Sequence, residues 1–419
     1  SVKKMKELSA ALEHGFIGFI VINYDALRPL WEQILKLQRK PEMEKLFQMM
    51  VLDESSRIKH ANSQRSKISW KLGQTVAYRN ILTGTPITQS AEDVFGQYRF
   101  LNPSVFGLYS TPFRANYLLM GGFEMRQVIG YKNINDFLKK VYTLAIRFTK
   151  DRCLDLPPKV YERRVAILDK DLSQKYRQLE KECVAEFGGH QVAAPLVMTK
   201  LMKLSQLTGG FIYEQGADGE RIKTHEFKTA KLDVLEELLD EALPQKIIIW
   251  CRFVQELHSI RALLTKKKIQ SVSIAGDVKS EDRAKAVKDF QENEKVKVFV
   301  GQVSTAGLGI TLTAANLVIY YSNTYSLEDR LQSEDRCHRI GQTHSVTYID
   351  IISKTCDNKN TIDSDVLNII KGKAKFANEV SMALMQKMVL RQDSPRGETV
   401  SASIIDDANE FIAQEDEFS

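Results

Sequence analysis

Lys246-Ile-Ile-Ile-Trp-Cys251 is an apolar run behind a single lysine, and a segment with helical spacing follows it from Val254 to Lys267. Too short for a helix and without polar alternation, the run reads as a strand buried on both faces. The same rhythm extends to either side. A helix over Lys231 to Ala242 precedes it. After it come a strand at Ser271 to Ile274, a helix at Ser280 to Gln291, and strands at Val296 to Val300, Leu317 to Tyr321 and Val346 to Ile352. Strands alternating with helices predict a parallel sheet with helical crossovers, hence an α/β lobe.

A second set of apolar runs, at residues 16–22, 49–53 and 80–83, stops at polar or glycine-containing turns, with a helical segment from Ala26 to Leu37. This predicts another α/β lobe near the start. Between the lobes, Phe95 to Phe148 mixes aromatic residues, glycines and lysines without a clear period, and Asp171 to Ile212 is mostly helical in pattern. Both are expected to be helical insertions and connections, not a further sheet. The expected organisation is a partial first lobe over 1–100, insertions and connection over 101–227, a second lobe over 228–380 and a polar, acidic tail over 381–419.

The 419 residues are too many for one ordinary core and suit two domains. A net charge of +6, with 43% hydrophobic and 27% charged residues, describes a soluble protein and permits nucleic-acid binding without requiring it. The five scattered cysteines form no Cys-x-x-Cys pair, so a reducing, cytoplasmic compartment is the simplest expectation. Gly15 to Ile22 is too short to span a membrane and runs straight into Asn23-Tyr24-Asp25, so no membrane is expected as a partner.

Four stretches carry candidate chemistry. Met49-Met-Val-Leu-Asp53-Glu54 is an apolar strand ending in adjacent carboxylates, the placement that serves Mg²⁺ and an attacking water in phosphoryl transfer. Alone, such a pair reads equally as a solvated acidic turn. Arg79-Asn-Ile-Leu-Thr83-Gly84-Thr85-Pro86 ends another strand in small hydroxyl residues, which an ordinary turn explains nearly as well. In the second lobe Ser304-Thr305-Ala-Gly-Leu-Gly309 is a glycine-containing loop suited to phosphates, and Gln332-Ser-Glu-Asp335-Arg336-Cys-His-Arg339-Ile-Gly-Gln342 follows. Its arginines, three residues apart, are expected on one helical turn where both reach one polyphosphate.

Taken in order, these stretches resemble the Swi/Snf-type ATPases, the double-stranded-DNA translocases of helicase superfamily 2. The resemblance runs from Val21-Ile-Asn-Tyr-Asp through Asp53-Glu54, Leu82-Thr-Gly-Thr-Pro-Ile87, Asp155-Leu-Pro-Pro-Lys159 and Lys246 to Phe253, to His338-Arg-Ile-Gly-Gln342. It implies two RecA-like lobes, ATP and Mg²⁺ as cofactors and duplex DNA as partner. Residue by residue it implies Asp53 for Mg²⁺, Glu54 for the hydrolytic water, and Thr83, Gly84 and Thr85 for coupling nucleotide state to lobe movement. It further implies Gly309, Gln332 and Asp335 at the nucleotide, Arg336 and Arg339 as arginine fingers, and Ser304 and Thr305 at a DNA phosphate.

The chain departs from the family pattern in three places. Ser55-Ser56 replaces the usual Ala or Gly followed by His. Thr324-Tyr325-Ser326 stands where tryptophans and an asparagine are common, leaving Tyr325 as an aromatic surface for DNA. No Gly-Lys-Thr/Ser phosphate loop occurs, since Gly372-Lys373 is followed by Ala374. With Ser at position 1, this predicts that the front of the first lobe was removed or is supplied by another segment or chain. The 419 residues alone are then expected to be inactive, as part of a compact bacterial or phage-type motor. The alternatives are a non-hydrolysing DNA-binding or regulatory module and one half of a split motor.

Overall fold

A computed structural model of the chain describes residues 18–374, apart from 39–46, 88–89, 122–126, 188–193, 216–220 and 277–279. The expected tail over 381–419 and residues 15–17 of the first apolar run lie outside the described residues.

The second lobe is built on a six-stranded sheet in which every neighbouring pair is parallel. Its strands are β5 (Lys159–Ile167), β8 (Ile247–Cys251), β9 (Ser271–Ile274), β10 (Val298–Gln302), β11 (Leu317–Tyr320) and β12 (Val346–Lys354), in the order β5-β12-β11-β8-β10-β9. Five consecutive residues of β8 are fully buried. Ile247, Ile249 and Cys251 pack on one face with Leu235, Leu239 and Ile260, while Ile248 and Trp250 pack on the other with Phe290 and Phe299. The helices supplying those layers are α10 (Ala230–Ala242), α11 (Val254–Lys266) and α12 (Ser280–Glu292). Burial of each such isoleucine contributes about 1.5–3 kcal/mol, so an unbroken apolar strand is stable only with helices on both faces.

In the first lobe β1 (Met49–Leu52) pairs in parallel with β2 (Tyr78–Ile81). Helices α1 (Tyr24–Gln38) and α2 (Gln64–Gly73) cover one face through Leu27, Leu30, Ile34, Ile68 and Leu72. The chain is therefore α/β, with a six-stranded parallel sheet in one lobe and two described parallel strands in the other.

Several expectations are corrected. Residues 18–22 form no strand, and Phe19 and Val21 are almost fully exposed. A strand needs a neighbour for its backbone hydrogen bonds, and β1 and β2 are the only strands paired here among the described residues. The strand expected at 80–83 starts two residues earlier, and that expected at 296–300 starts two residues later.

The stretch without a period is not purely helical. Between α3 (Glu92–Leu101), α4 (Pro103–Phe106), α5 (Ser110–Tyr117) and α6 (Ile134–Val141) it holds an antiparallel hairpin, β3 (Leu118–Gly121) with β4 (Gln127–Tyr131). Its aromatic residues are a core: Phe95, Tyr98, Phe106, Phe113, Tyr117 and Phe137 pack ring to ring. Short elements each offering one or two rings leave no period to read.

Farther on come α7 (Lys150–Cys153), α8 (Lys170–Phe187), α9 (Ala194–Thr208) and a second hairpin, β6 (Phe211–Gln215) with β7 (Arg221–Glu226). The edge strand β5 also lies in the segment read as connection. Its alternation is masked because an edge strand leaves most side chains exposed.

Candidate functional site

The carboxyl ends of β1 and β2 bring the first two motifs together. The parallel register continues past the strands: Leu82 donates to the Leu52 carbonyl and Ser55 to the Leu82 carbonyl, both at 2.9 Å. Asp53-Glu54 and Thr83-Gly84-Thr85 thus sit on adjacent strand ends, where open α/β sheets bind ligands. Glu54 holds φ +50°, a left-handed conformation uncommon for a residue with a side chain, and opens the 3₁₀ turn Ser55–Ile58. Asp53 Oδ1 accepts from the Glu54 amide at 3.0 Å, and the Tyr24 hydroxyl donates to the Asp53 carbonyl at 2.8 Å. Burial and the neighbouring Asp53 push the Tyr24 hydroxyl up to about 12. Thr83 Oγ1 accepts from the Thr85 amide at 3.1 Å.

Sequence reasoning missed the residue that ties these two loops. Gln97, on α3 and 1% exposed, accepts from Ser55 Oγ at 2.7 Å and donates to the Pro86 carbonyl at 2.8 Å. A glutamine between Phe95 and Tyr98 on a buried helical face was its only signal. One residue earlier, a Cβ on Gly96 would stand 2.1 Å from the Lys59 carbonyl oxygen, so α3 touches the turn after the carboxylates backbone to backbone. Gly96→Ala is expected to cost about 1–3 kcal/mol by overpacking, read by urea unfolding. An unchanged midpoint would refute this close approach.

In the second lobe the loop after β10 is the 3₁₀ turn Val303–Leu308, closed by Gly309 at φ +71°. Helix α13 (Leu327–Glu334) ends before the arginines, so the expectation that Arg336 and Arg339 share a helix is corrected. The backbone leaves the helix because its groups are bound elsewhere. The Arg336 carbonyl accepts from the Leu312 amide at 2.8 Å, Cys337 Sγ donates to the Ala315 carbonyl at 2.9 Å, and Gln342 Nε2 donates to the same carbonyl at 2.8 Å. His338 Nε2 lies 2.7 Å from the Pro157 carbonyl.

That turn aims the side chains. Arg339 Nη1 donates to Thr311 Oγ1 at 3.0 Å, beside Gly309, and Arg336 Nε donates to the Gln332 carbonyl at 3.0 Å. Asp335, grouped with the nucleotide from sequence, gives its carboxylate to Lys150, which also donates to the His338 carbonyl at 3.2 Å.

The two lobes meet beside the carboxylates. Ser56 Oγ donates to Glu328 Oε1 at 2.8 Å, and Lys59 Nζ lies 3.7 Å from Glu328 Oε2. Ser56, the departure in the fourth position of the box, is therefore a bridge to α13. Burial, then Asp53 and Glu328, raise the Glu54 carboxyl above the ordinary range, with Arg336 and Arg57 opposing. Burial and Arg339 lower the Arg336 guanidinium, with Asp335 and Glu54 opposing. Glu54 and Arg336 thus lie within electrostatic reach across the cleft.

The residues assigned to DNA are dispersed. Ser304 is exposed, but Thr305 is 5% exposed and donates its hydroxyl to the Gln302 carbonyl at 2.6 Å. The Tyr325 ring packs against the Leu207 and Leu327 cluster, with the Arg252 guanidinium 5.3 Å from its centroid.

The charge pattern suits the implied groups. A divalent cation beside Asp53 would relieve the repulsion that raises Glu54, and Mg²⁺ is commonly held by one or two carboxylates together with phosphates. An anion near Arg336 and Arg339 would relieve their mutual repulsion. Among the described residues no helix is long and apolar enough to cross a membrane.

Two family profiles match the chain: the SNF2-related domain over residues 14–209 and the helicase conserved C-terminal domain over residues 230–341. The human DNA annealing helicase and endonuclease ZRANB3 is 26% identical over 82% of this chain and 30% of its own length. The ATP-dependent helicase MG018 of Mycoplasma genitalium, itself uncharacterized, is 24% identical over 83% of this chain and 32% of its own. The chain spans under a third of the length of these two relatives. Among solved structures, the C-terminal part of the Fun30 ATPase domain aligns with a TM-score of 0.43 at 18% identity, covering 56% of this chain and 99% of that one. The Sulfolobus solfataricus SWI2/SNF2 ATPase core in complex with dsDNA aligns at 0.39 and 24% identity, covering 76% of this chain and 67% of that one. With the two profiles matched in order along residues 14–341, the chain belongs to the SNF2-related family of superfamily 2.

Proposed function

We propose that these residues are motor lobes of an ATP-dependent double-stranded-DNA translocase, with hydrolysis between the lobes. The observation that carries this reading is that Glu54 and Arg336 act on each other electrostatically beside the hydrogen bond by which Ser56 and Glu328 join the lobes. MgATP, when bound, supplies the phosphoanhydride bond whose cleavage drives the lobes. Asp53 holds the cation, and Glu54 takes a proton from the attacking water. Arg336 and Arg339 donate to the phosphate oxygens. Gly309 and Gln332 line the nucleotide, and Asp335 acts by fixing the arginine turn through Lys150. Through Gln97, Thr83, Gly84 and Thr85 pass the state of the cleft to α3. Of the residues assigned to DNA, the exposed Ser304 lies toward the duplex, whose phosphate contacts make binding salt-sensitive.

The lysine-bearing phosphate loop on which such turnover depends does not occur in these 419 residues. ATP turnover with and without duplex DNA, on this chain and on an N-terminally longer form, tests the proposal. DNA-stimulated turnover only in the longer form is the expected result. Duplex binding without stimulation in either form would favour a non-hydrolysing regulatory module, and turnover restored by mixing two chains would identify a split motor.

The raised Glu54 carboxyl sets a pH dependence. A base must be ionised; with a cation offsetting Asp53, burial and Glu328 still hold the Glu54 carboxyl up, so turnover should fall with acid at a higher pH than an ordinary glutamate gives. Glu328→Gln removes one of the charges that raise Glu54 and is expected to move the acid limb to lower pH. A shift in the opposite direction, or none, counts against Glu54 as the base.

A further inference from the structure

In the first lobe, α1, α2 and α3 enclose a groove of about 370 Å³ whose lining includes none of the cleft residues. It is lined by Arg28, Lys67, Lys71 and Arg99 together with Trp31 and Trp70, and no Asp or Glu is among the described residues that line it. Asp25, at the start of α1, is held by Arg65 at 2.6 Å, and Glu32, one residue beyond Trp31, is exposed. The cations are arranged on the indoles: Lys71 Nζ lies 5.0 Å from the Trp31 ring centroid and Arg99 Cζ 5.8 Å from that of Trp70. Arg99 donates through Nη2 to the Ala61 carbonyl at 2.5 Å, but its Nε is buried without a hydrogen-bond partner. Four cations around one groove with no acid among its lining residues cost self-repulsion. An anion in the groove would offset it.

We infer that this groove is a second nucleic-acid site, taking one splayed nucleotide of a single DNA strand with its phosphate on the cations and its base against an indole. Charge complementarity selects a phosphate, and flat indoles beside cations select a base, the pairing by which strands are held without sequence preference. Duplex DNA keeps its bases stacked and offers the indoles nothing. The cleft residues take no part, so the site stands or falls separately from the proposed motor.

The tryptophans provide the readout. Of the three in the chain, Trp31 and Trp70 line the groove, and Trp250 is fully buried in the second-lobe sheet. A single-stranded oligothymidylate is expected to quench the emission of the full chain, while a blunt duplex of equal length is not. Lys67 and Lys71 are exposed, so Lys67→Glu with Lys71→Glu should keep a cooperative thermal melt, lowered only slightly by loss of the Lys71 contact with Trp31. That variant should weaken quenching by about tenfold or more and make it less salt-dependent. Trp250→Phe and Arg336→Ala should keep the quenching. Undiminished quenching in the double lysine variant, or equal quenching by duplex, would overturn the site. Quenching by inorganic pyrophosphate but not by the oligonucleotide would reduce it to a phosphate pocket and also overturn the strand assignment.

Discussion

Arg336→Lys, made in a form of the protein that turns over ATP, is expected to lower DNA-stimulated turnover by about 10³-fold or more, with Arg336→Ala no worse. Charge is conserved in the lysine variant, so the loss tests geometry. The Arg336 side chain is anchored through Nε to the Gln332 carbonyl, leaving the remaining guanidinium donors to reach across the cleft toward Glu54. Lysine has a single ammonium: it can satisfy the carbonyl or reach the cleft, not both. The turn that carries it is fixed by Leu312, Cys337 and Gln342 and would stay in place, so an unchanged melting temperature should accompany the loss. Steady-state phosphate release with and without duplex DNA is the measurement. Turnover within tenfold of the parent in Arg336→Lys would remove this residue from the chemistry.

The second large effect concerns the support beneath that turn. Arg330 is 6% exposed and lies in a closed cage: bonds of 2.6 and 3.2 Å to Asp350, 2.8 Å to Glu334, and the Tyr320 ring centroid at 3.6 Å. Glu334 also receives Lys159 at 2.9 Å and the Tyr161 hydroxyl at 2.8 Å, which links the edge strand β5 to the end of α13. Arg330→Met leaves two buried carboxylates without their shared cation. Near neutral pH this is expected to cost about 3–5 kcal/mol of unfolding free energy, measured by urea titration. Adding Glu334→Gln and Asp350→Asn should recover part of it, since uncompensated charge, and not lost volume, is the cause.

The pH dependence has a defined sign. Burial alone would raise the Glu334 carboxyl, but Arg330 and Lys159 outweigh it and hold it below the ordinary value. A depressed folded-state pKa contributes stability that is present above the unfolded value and lost as pH falls through the folded one. The gap between parent and Arg330→Met should therefore narrow as acid protonates the carboxylates. A cost under about 1 kcal/mol near neutral pH would contradict the cage.

Legibility differed sharply between elements. Strand β8 was readable because five apolar residues in a row have one stable destination, a sheet covered on both faces. The carboxylates at the end of β1 and the hydroxyls at the end of β2 were readable because small chemical sets at strand ends carry their own pattern. Gln97 was not, because its role lies in bonds to Ser55 and Pro86, and nothing in the residues beside it encodes those. The aromatic core of residues 95–137 was visible as composition and invisible as structure, since its rings come from short elements of several kinds. Tyr325 was readable as an aromatic residue, while the Arg252 guanidinium over its ring came from a distant strand end.

By itself the sequence determined the α/β class, the order of the motifs and their chemistry, because hydrophobic period and residue type are local properties of the chain. Tertiary structure alone decided where helix α13 stops, which partner each charged group has, and which carboxylate faces which arginine. Arg336 and Arg339 left the helix because Leu312 and Ala315, more than twenty residues away, bind the backbone and side chains of their turn. Asp335 left the cleft for Lys150, and Glu328 met Ser56. Each of these choices is a competition between hydrogen bonds and ion pairs of similar strength. Only the packed chain determines which partners come within reach.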